Sequence, residues 1–210
     1  MDRPAAWYLH YLVDNIHRTI VATVDEDGLP VTAAIDMMMA DDEGLYFLTA
    51  RGKNFYRRLT DRPFIALTGM TGESTMDSVA LSIRGRVREE GPTLLPELFV
   101  RNPYMAEIYP TEASRQALTV FKLYQGTGEW FDLSVKPIDR ATFSFGGAAK
   151  QAHGYFVDAA ICTGCGSCLP VCPQNCITLP DGVAVIAQPH CLHCGRCAEV
   201  CPASAISRQP

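Results

Sequence analysis

Two stretches decide how this chain is organised: Cys162-Thr-Gly-Cys165-Gly-Ser-Cys168-Leu-Pro-Val-Cys172-Pro173 and Cys191-Leu-His-Cys194-Gly-Arg-Cys197-Ala-Glu-Val-Cys201-Pro202. Each reads C-x2-C-x2-C-x3-C-P, and each cysteine of the second run follows its counterpart by 29 residues. All nine cysteines lie between Cys162 and Cys201. Three thiolates in a tight turn can hold three iron corners of a cubane, while the fourth corner must be reached from elsewhere in the chain. The spacing therefore points to iron–sulfur chemistry. A disulfide scaffold would require a secreted context. The start, Met1-Asp-Arg-Pro-Ala-Ala-Trp-Tyr8, has no basic region followed by an apolar core, so no secretory signal is expected and the cytoplasm is the expected location. Zinc more often takes two separated C-x2-C pairs than two triplets each closed by C-x3-C-P.

The double run is the pattern of two-cluster bacterial ferredoxins, in which the fourth cysteine of each run ligates the other cluster. That pattern implies one 4Fe–4S cluster on Cys162, Cys165, Cys168 and Cys201, and a second on Cys191, Cys194, Cys197 and Cys172. The ninth cysteine, Cys176, falls on Ala205 when shifted by 29, so the position calls for a small buried side chain. His190 and His193 flank Cys191 and are expected to be loop histidines. Clusters would also stabilise a segment that is marginal for folding by itself at roughly 60 residues.

The cysteine-free front holds the rest of the composition. The chain has 210 residues, 48% hydrophobic and 20% charged, with a net charge of −5. From residue 146 onward Lys150, Arg196 and Arg208 balance Asp158, Asp181 and Glu199, so the net negative charge belongs to the front part. Such a balance gives no drive toward nucleic acid, and no apolar run reaches the roughly 18 residues of a membrane span. The boundary is expected within Gly146-Gly-Ala-Ala-Lys-Gln-Ala-His-Gly154, giving domains of 1–148 and 149–210.

In the front domain, Ala5, Leu9, Leu12, Val13 and Ile16 recur at helical spacing, predicting a helix over 4–16. Strands are expected at 19–24, 31–39, 45–50, 64–68, 79–87, 120–123, 129–133 and 141–145. Pro96–Glu107 and Glu112–Leu118 read as helical. Strands at this density favour a barrel. The most informative stretch is Gly44-Leu-Tyr-Phe-Leu-Thr49-Ala-Arg51-Gly-Lys53-Asn54-Phe-Tyr-Arg57-Arg58-Leu59. A strand enters a glycine turn and then a basic helix. Outward N–H groups at the helix start, with Arg51, Lys53 and the Thr49 hydroxyl, suit a phosphate. A basic solvated helix start is the competing reading.

The order of these parts resembles the pyridoxamine 5′-phosphate oxidase-like FMN-binding split barrels over roughly residues 5–145. The resemblance rests on the Asp-Gly hairpin, the Gly-Leu-Tyr-Phe-Leu-Thr strand, the Arg-Gly-Lys-Asn turn, Asp61-Arg-Pro63-Phe-Ile-Ala-Leu67 and Ser82-Ile-Arg-Gly85-Arg-Val87. It implies a mainly β protein: a split barrel with flanking helices, plus a small α+β ferredoxin-like domain. It also implies a homodimer with FMN at the subunit interface, its phosphate at Thr49, Arg51, Lys53 and Asn54, and Thr32, Ala33, Ala34 and Ile35 beside the flavin. Relatives with this barrel also bind F420 or haem. The true oxidase carries an Arg-Leu-His-Asp-Arg type motif near its end, where this chain has only Ile138-Asp139-Arg140. It also carries a flavin-contacting Arg-Gln pair, where this chain has Val79-Ala80. Oxidation of vitamin B6 is therefore not implied. Trp130 is expected in the core or at a dimer interface. Together the halves read as a conduit from a ferredoxin or other redox partner, through the clusters, to a flavin acting on a small organic substrate. A pure electron carrier and a redox or oxygen sensor are the alternatives.

Overall fold

The computed structural model describes residues 3–149 and 153–209. Residues 150–152, in the expected join, lie outside the described residues. Helix α1 (Ala5–Tyr11) buries Leu9, and Leu12 follows it into a wider helical turn over Leu12–Ile16. That turn stops at His17, a non-glycine residue at φ +62° whose N–H donates to the Leu12 carbonyl.

Strands β1 (Arg18–Val24) and β2 (Pro30–Asp36) form an antiparallel hairpin. Its turn is set by the Asp25 carboxylate, which accepts the N–H groups of Asp27 and Leu29, and by Gly28 at φ +84°. Then come β3 (Met39–Asp41), β4 (Gly44–Ala50), α2 (Asn54–Asp61), β5 (Phe64–Thr71) and β6 (Val79–Gly91). Three short helices, α3 (Leu95–Arg101), α4 (Met105–Ile108) and α5 (Glu112–Arg115), lead to β7 (Leu118–Asp132) and β8 (Asp139–Phe145). The expected helix over 96–107 is broken in two at Asn102–Tyr104, around Pro103.

The sheet runs β2-β1-β5-β6-β7-β4-β3, with β8 on the far half of β7. Its two ends, β2 and β3, are consecutive in the chain and separated only by the buried Met37 and Met38. The sheet therefore curls on itself into a barrel. Leu9, Leu12, Val21, Phe47, Leu81 and Phe121 fill the interior, and Trp130 is buried there beside Tyr8 and Tyr11.

The two strands expected at 120–123 and 129–133 are one 15-residue strand. The glycines between them serve close packing, not a turn. A Cβ on Gly128 would run into the Phe143 ring, and one on Gly126 into the Arg84 carbonyl.

The second unit is small. Strand β9 (Gly154–Val157) pairs with β12 (Ile206–Gln209), and β10 (Ile177–Thr178) pairs with β11 (Val185–Ile186). Helix α6 (Arg196–Glu199) lies inside the second cysteine run. Ile177, Ile186 and Ile206 form the core together with the cysteines themselves. Among the described residues, two hydrogen-bond contacts link this unit to the barrel. His190 Nδ1 lies 2.7 Å from the Ile138 carbonyl, and Arg140 Nη1 donates to the Cys191 carbonyl at 3.1 Å. His190 is thus a link between units and not a free loop side chain. Among the described residues no helix is long and apolar enough to cross a membrane.

Candidate functional site

The cysteines line two separate cavities, each drawing on both runs. One is bordered by Cys162, Cys165, Cys168 and Cys201, the other by Cys172, Cys191, Cys194 and Cys197. The chain doubles back to achieve this, because pairing of β9 with β12 and of β10 with β11 brings the two runs face to face. Backbone amides point at the sulfurs: Ala184 at Cys162, His193 at Cys191 and Ala205 at Cys201, at 3.3–3.5 Å. Such N–H donors stabilise thiolate charge and tune the potential of a thiolate-bound cluster. Gly164, Gly166 and Gly195 all have positive φ, the backbone shape that lets these loops turn sharply around a cavity.

Cys176 borders the second cavity, its sulfur 3.5 Å from that of Cys172. Burial, and then the Cys172 thiol, push the Cys176 thiol up to about 12. It belongs to the same buried cluster as Ile177, and its counterpart Ala205 is buried as well. Burial also raises the Cys168 and Cys197 thiols, an effect that a bound metal cation would oppose.

The expected phosphate residues gather where β4 runs into α2. Thr49 is buried at 3% exposure, and its Oγ1 has no hydrogen-bond partner. Arg51 and Lys53 are exposed, and no side chain caps α2. The structure adds a group that the sequence did not disclose. Glu89, on β6, accepts hydrogen bonds from Thr119 at 2.6 Å and Tyr56 at 3.1 Å, and stands 3.5 Å from Arg51 Nε. Arg51 is therefore already partly neutralised, whereas Lys53 has no ion pair among the described residues. No spacing rule could have found Glu89, because β4, β6 and β7 meet only in the folded sheet. Asn54 faces a different groove, which it lines with Val31, Arg57 and Arg58. On β2, Thr32 and Ala34 are exposed, while Ala33 and Ile35 pack against the core. The structure thus brings Thr49, Arg51 and Lys53 together and sets Asn54 and the β2 residues to the side.

The donor set fits a phosphomonoester. An orphaned buried hydroxyl, an uncommitted ammonium and the free N–H groups of an uncapped helix start all seek an acceptor.

Comparisons with known proteins agree with this division. A family model described as "Pyridoxamine 5'-phosphate oxidase" matches residues 9–128, and one described as "4Fe-4S dicluster domain" matches residues 161–205. No curated protein matches the chain. Solved structures match its barrel. A NimC/NimA family protein from Clostridium acetobutylicum is 14% identical with a TM-score of 0.56, covering 67% of this chain and 92% of that one. A protein from the same organism, related to general stress protein 26, is 16% identical with a TM-score of 0.53, covering 68% and 96%. PhzG from Burkholderia lata 383, solved with tetrahydrophenazine-1-carboxylic acid, is 15% identical with a TM-score of 0.52, covering 69% and 86%. At these identities the likeness is one of fold.

Proposed function

Starting from a chain that belongs to the pyridoxamine 5′-phosphate oxidase family and carries a 4Fe–4S dicluster domain, we propose an FMN-dependent iron–sulfur oxidoreductase that exchanges electrons between a redox partner and a small organic substrate. The observation that carries this reading is the junction. The loop holding Cys191 and Cys194 is seated directly on the barrel by Arg140 and His190. Cluster ligands and barrel are therefore held at one fixed interface.

In this reading the eight cysteines ligate two clusters in the crossed sets that line the two cavities. Thr49, Arg51 and Lys53, with the first turn of α2, hold the FMN phosphate. When bound, FMN accepts one or two electrons, which matches single-electron clusters to two-electron organic chemistry. Glu89 orients Arg51 and keeps the local charge from becoming strongly positive. A second copy of the chain and a ferredoxin-like donor complete the proposal. Phe64 and Met70, exposed on β5, are apolar groups that a dimer would cover.

Anaerobic purification, followed by cofactor extraction with mass identification and by iron and sulfide analysis, tests this. FMN and about eight iron atoms per chain are expected. Extraction of F420, haem or no organic cofactor refutes the flavin assignment, and zinc in place of iron refutes the cluster assignment.

A further inference from the structure

The two cysteine cavities differ in their surroundings. Leu192 borders the second cavity and also lines a cleft of about 740 Å³ between the outer face of the barrel and the cysteine-rich unit. Arg84, Arg140 and Arg208 line the same cleft, with His153 and His193 beside them. Glu129 is the lone acid among its described lining residues, and it stands 3.7 Å from Arg140. Arg196 borders the second cavity itself. The barrel-side end of the unit is therefore cationic.

The first cavity has the opposite setting. None of its described lining residues belongs to the barrel or borders the cleft. Its outer loop exposes Ile161, Thr163, Cys165 and Ser167. From Gly154 to Ala187 the chain has no Lys, Arg or His, and its only charged residues are Asp158 and Asp181. The fold puts both beside this loop. The Asp158 carbonyl accepts the N–H groups of Ile161 and Cys162. The turn that holds Asp181 packs on Gly164, where a Cβ would run into the Gly182 carbonyl oxygen. Both aspartates are exposed, and neither has an ion pair among the described residues.

We propose that this outer end, centred on Ile161 and Cys165 and flanked by Asp158 and Asp181, is the docking face for a redox protein whose exposed cofactor is ringed by Lys or Arg side chains. The inference rests on the redox reading above and deepens it by naming the partner's surface and the point of entry. Encounters between redox proteins are small and transient, so the charge field sets their orientation. Here that field has two ends. A cationic partner is drawn to the aspartates and repelled from the arginines on the barrel side. Each encounter passes one electron from the partner's reduced cofactor to the first cavity's cluster; the partner is oxidised, the cluster is reduced, and no bond or proton moves. The second cavity, which meets the barrel side through Leu192, follows the first in the path.

The test uses the full-length protein, purified anaerobically with its cofactors, and cytochrome c as the probe, a small haem protein with a lysine-rich face. A zero-length carbodiimide joins carboxylates to lysines in contact, and mass mapping then locates the joined residues. Asp158 and Asp181 are expected to carry most of the links. In stopped flow, the reduced protein passes one electron to the haem iron, taking it from ferric to ferrous. Asp158→Asn with Asp181→Asn should slow this step by about fivefold at about 10 mM ionic strength, and by less than about twofold at about 0.5 M. Asparagine keeps a side-chain acceptor for the Ala160 N–H that Asp158 holds, and it tolerates the positive φ of Asp181, so iron content and melting temperature should not change. Glu26→Gln with Asp42→Asn removes the same charge from exposed barrel positions and should leave the rate as it was. An equal slowing by both pairs overturns the inference, because net charge alone would then steer the probe. Links that map mainly to the barrel of an iron-loaded protein also overturn it and leave the redox reading standing. A protein that holds no iron brings down the redox reading, and this inference with it.

Discussion

Crossed ligation makes a quantitative prediction that chain proximity would get wrong. Cys197 and Cys201 belong to one run, four residues apart, yet they border different cavities. Cys162 and Cys201 are 39 residues apart and border the same one. Each cavity has four thiols from the two C-x2-C-x2-C-x3-C runs, with Cys176 a fifth at the second cavity, and removing any of the four leaves a corner iron without its ligand. A severe single substitution should therefore cost one cluster, taking iron from about eight to about four atoms per chain. A second substitution in the same cavity should cost little more, since that cluster is already gone, while one in the other cavity should cost the remaining four. Cys201→Ala with Cys162→Ala is thus expected to retain about four iron atoms, and Cys201→Ala with Cys197→Ala close to none. This is a double-mutant cycle read in iron, with strong non-additivity for the distant pair and additivity for the near pair. Iron and acid-labile sulfide assays under anaerobic conditions read it directly. Circular dichroism and a melting curve would check that the barrel is intact. If the near pair retains about four iron atoms and the distant pair none, each run ligates its own cluster and the crossed reading fails.

Two further predictions concern the barrel. Lys53→Ala should weaken FMN by on the order of 1.5–3 kcal/mol, the value of one charge-assisted hydrogen bond, and leave riboflavin unaffected, as measured by anaerobic fluorescence titration; an equal loss for both ligands would place the ring there instead of the phosphate. Asp41→Asn should destabilise the barrel by about 1–2 kcal/mol, less than the roughly 3–5 kcal/mol of a fully buried broken pair, because Lys122 is only 4% exposed whereas Asp41 is 43% exposed. Burial would lift the Asp41 carboxyl, but the Lys122 ammonium and the Tyr46 hydroxyl hold it below its usual 3.8. The stabilisation is therefore present at neutral pH and is lost as pH falls through the depressed value. Urea midpoints followed by tryptophan fluorescence should show the gap between wild type and variant narrowing at acidic pH, and a gap that stays constant from neutral to acid refutes the assignment.

What was readable in the sequence depended on the distance over which each feature is written. The cysteine runs are local, because a cubane fixes three of its ligands within seven residues, and the 29-residue repeat makes the second copy visible. The strands of the barrel were readable by alternation, except along β7. There Gly126 and Gly128 look like punctuation, and only the Phe143 ring and the Arg84 backbone that lie against them show that they are packing sites. At the β4–α2 turn the sequence supplies Thr49, Arg51 and Lys53, but Glu89 arrives from 38 residues beyond Arg51, through strands β6 and β7. The interunit cleft is the extreme case. Arg84, Arg140 and Arg208 each stand on a different strand, and no spacing along the chain shows that they meet. A charge pattern read along the chain averages them into a mildly acidic protein. The fold reverses that average beside the loop between Cys191 and Cys194, where the three arginines line one cleft with Leu192 and His193.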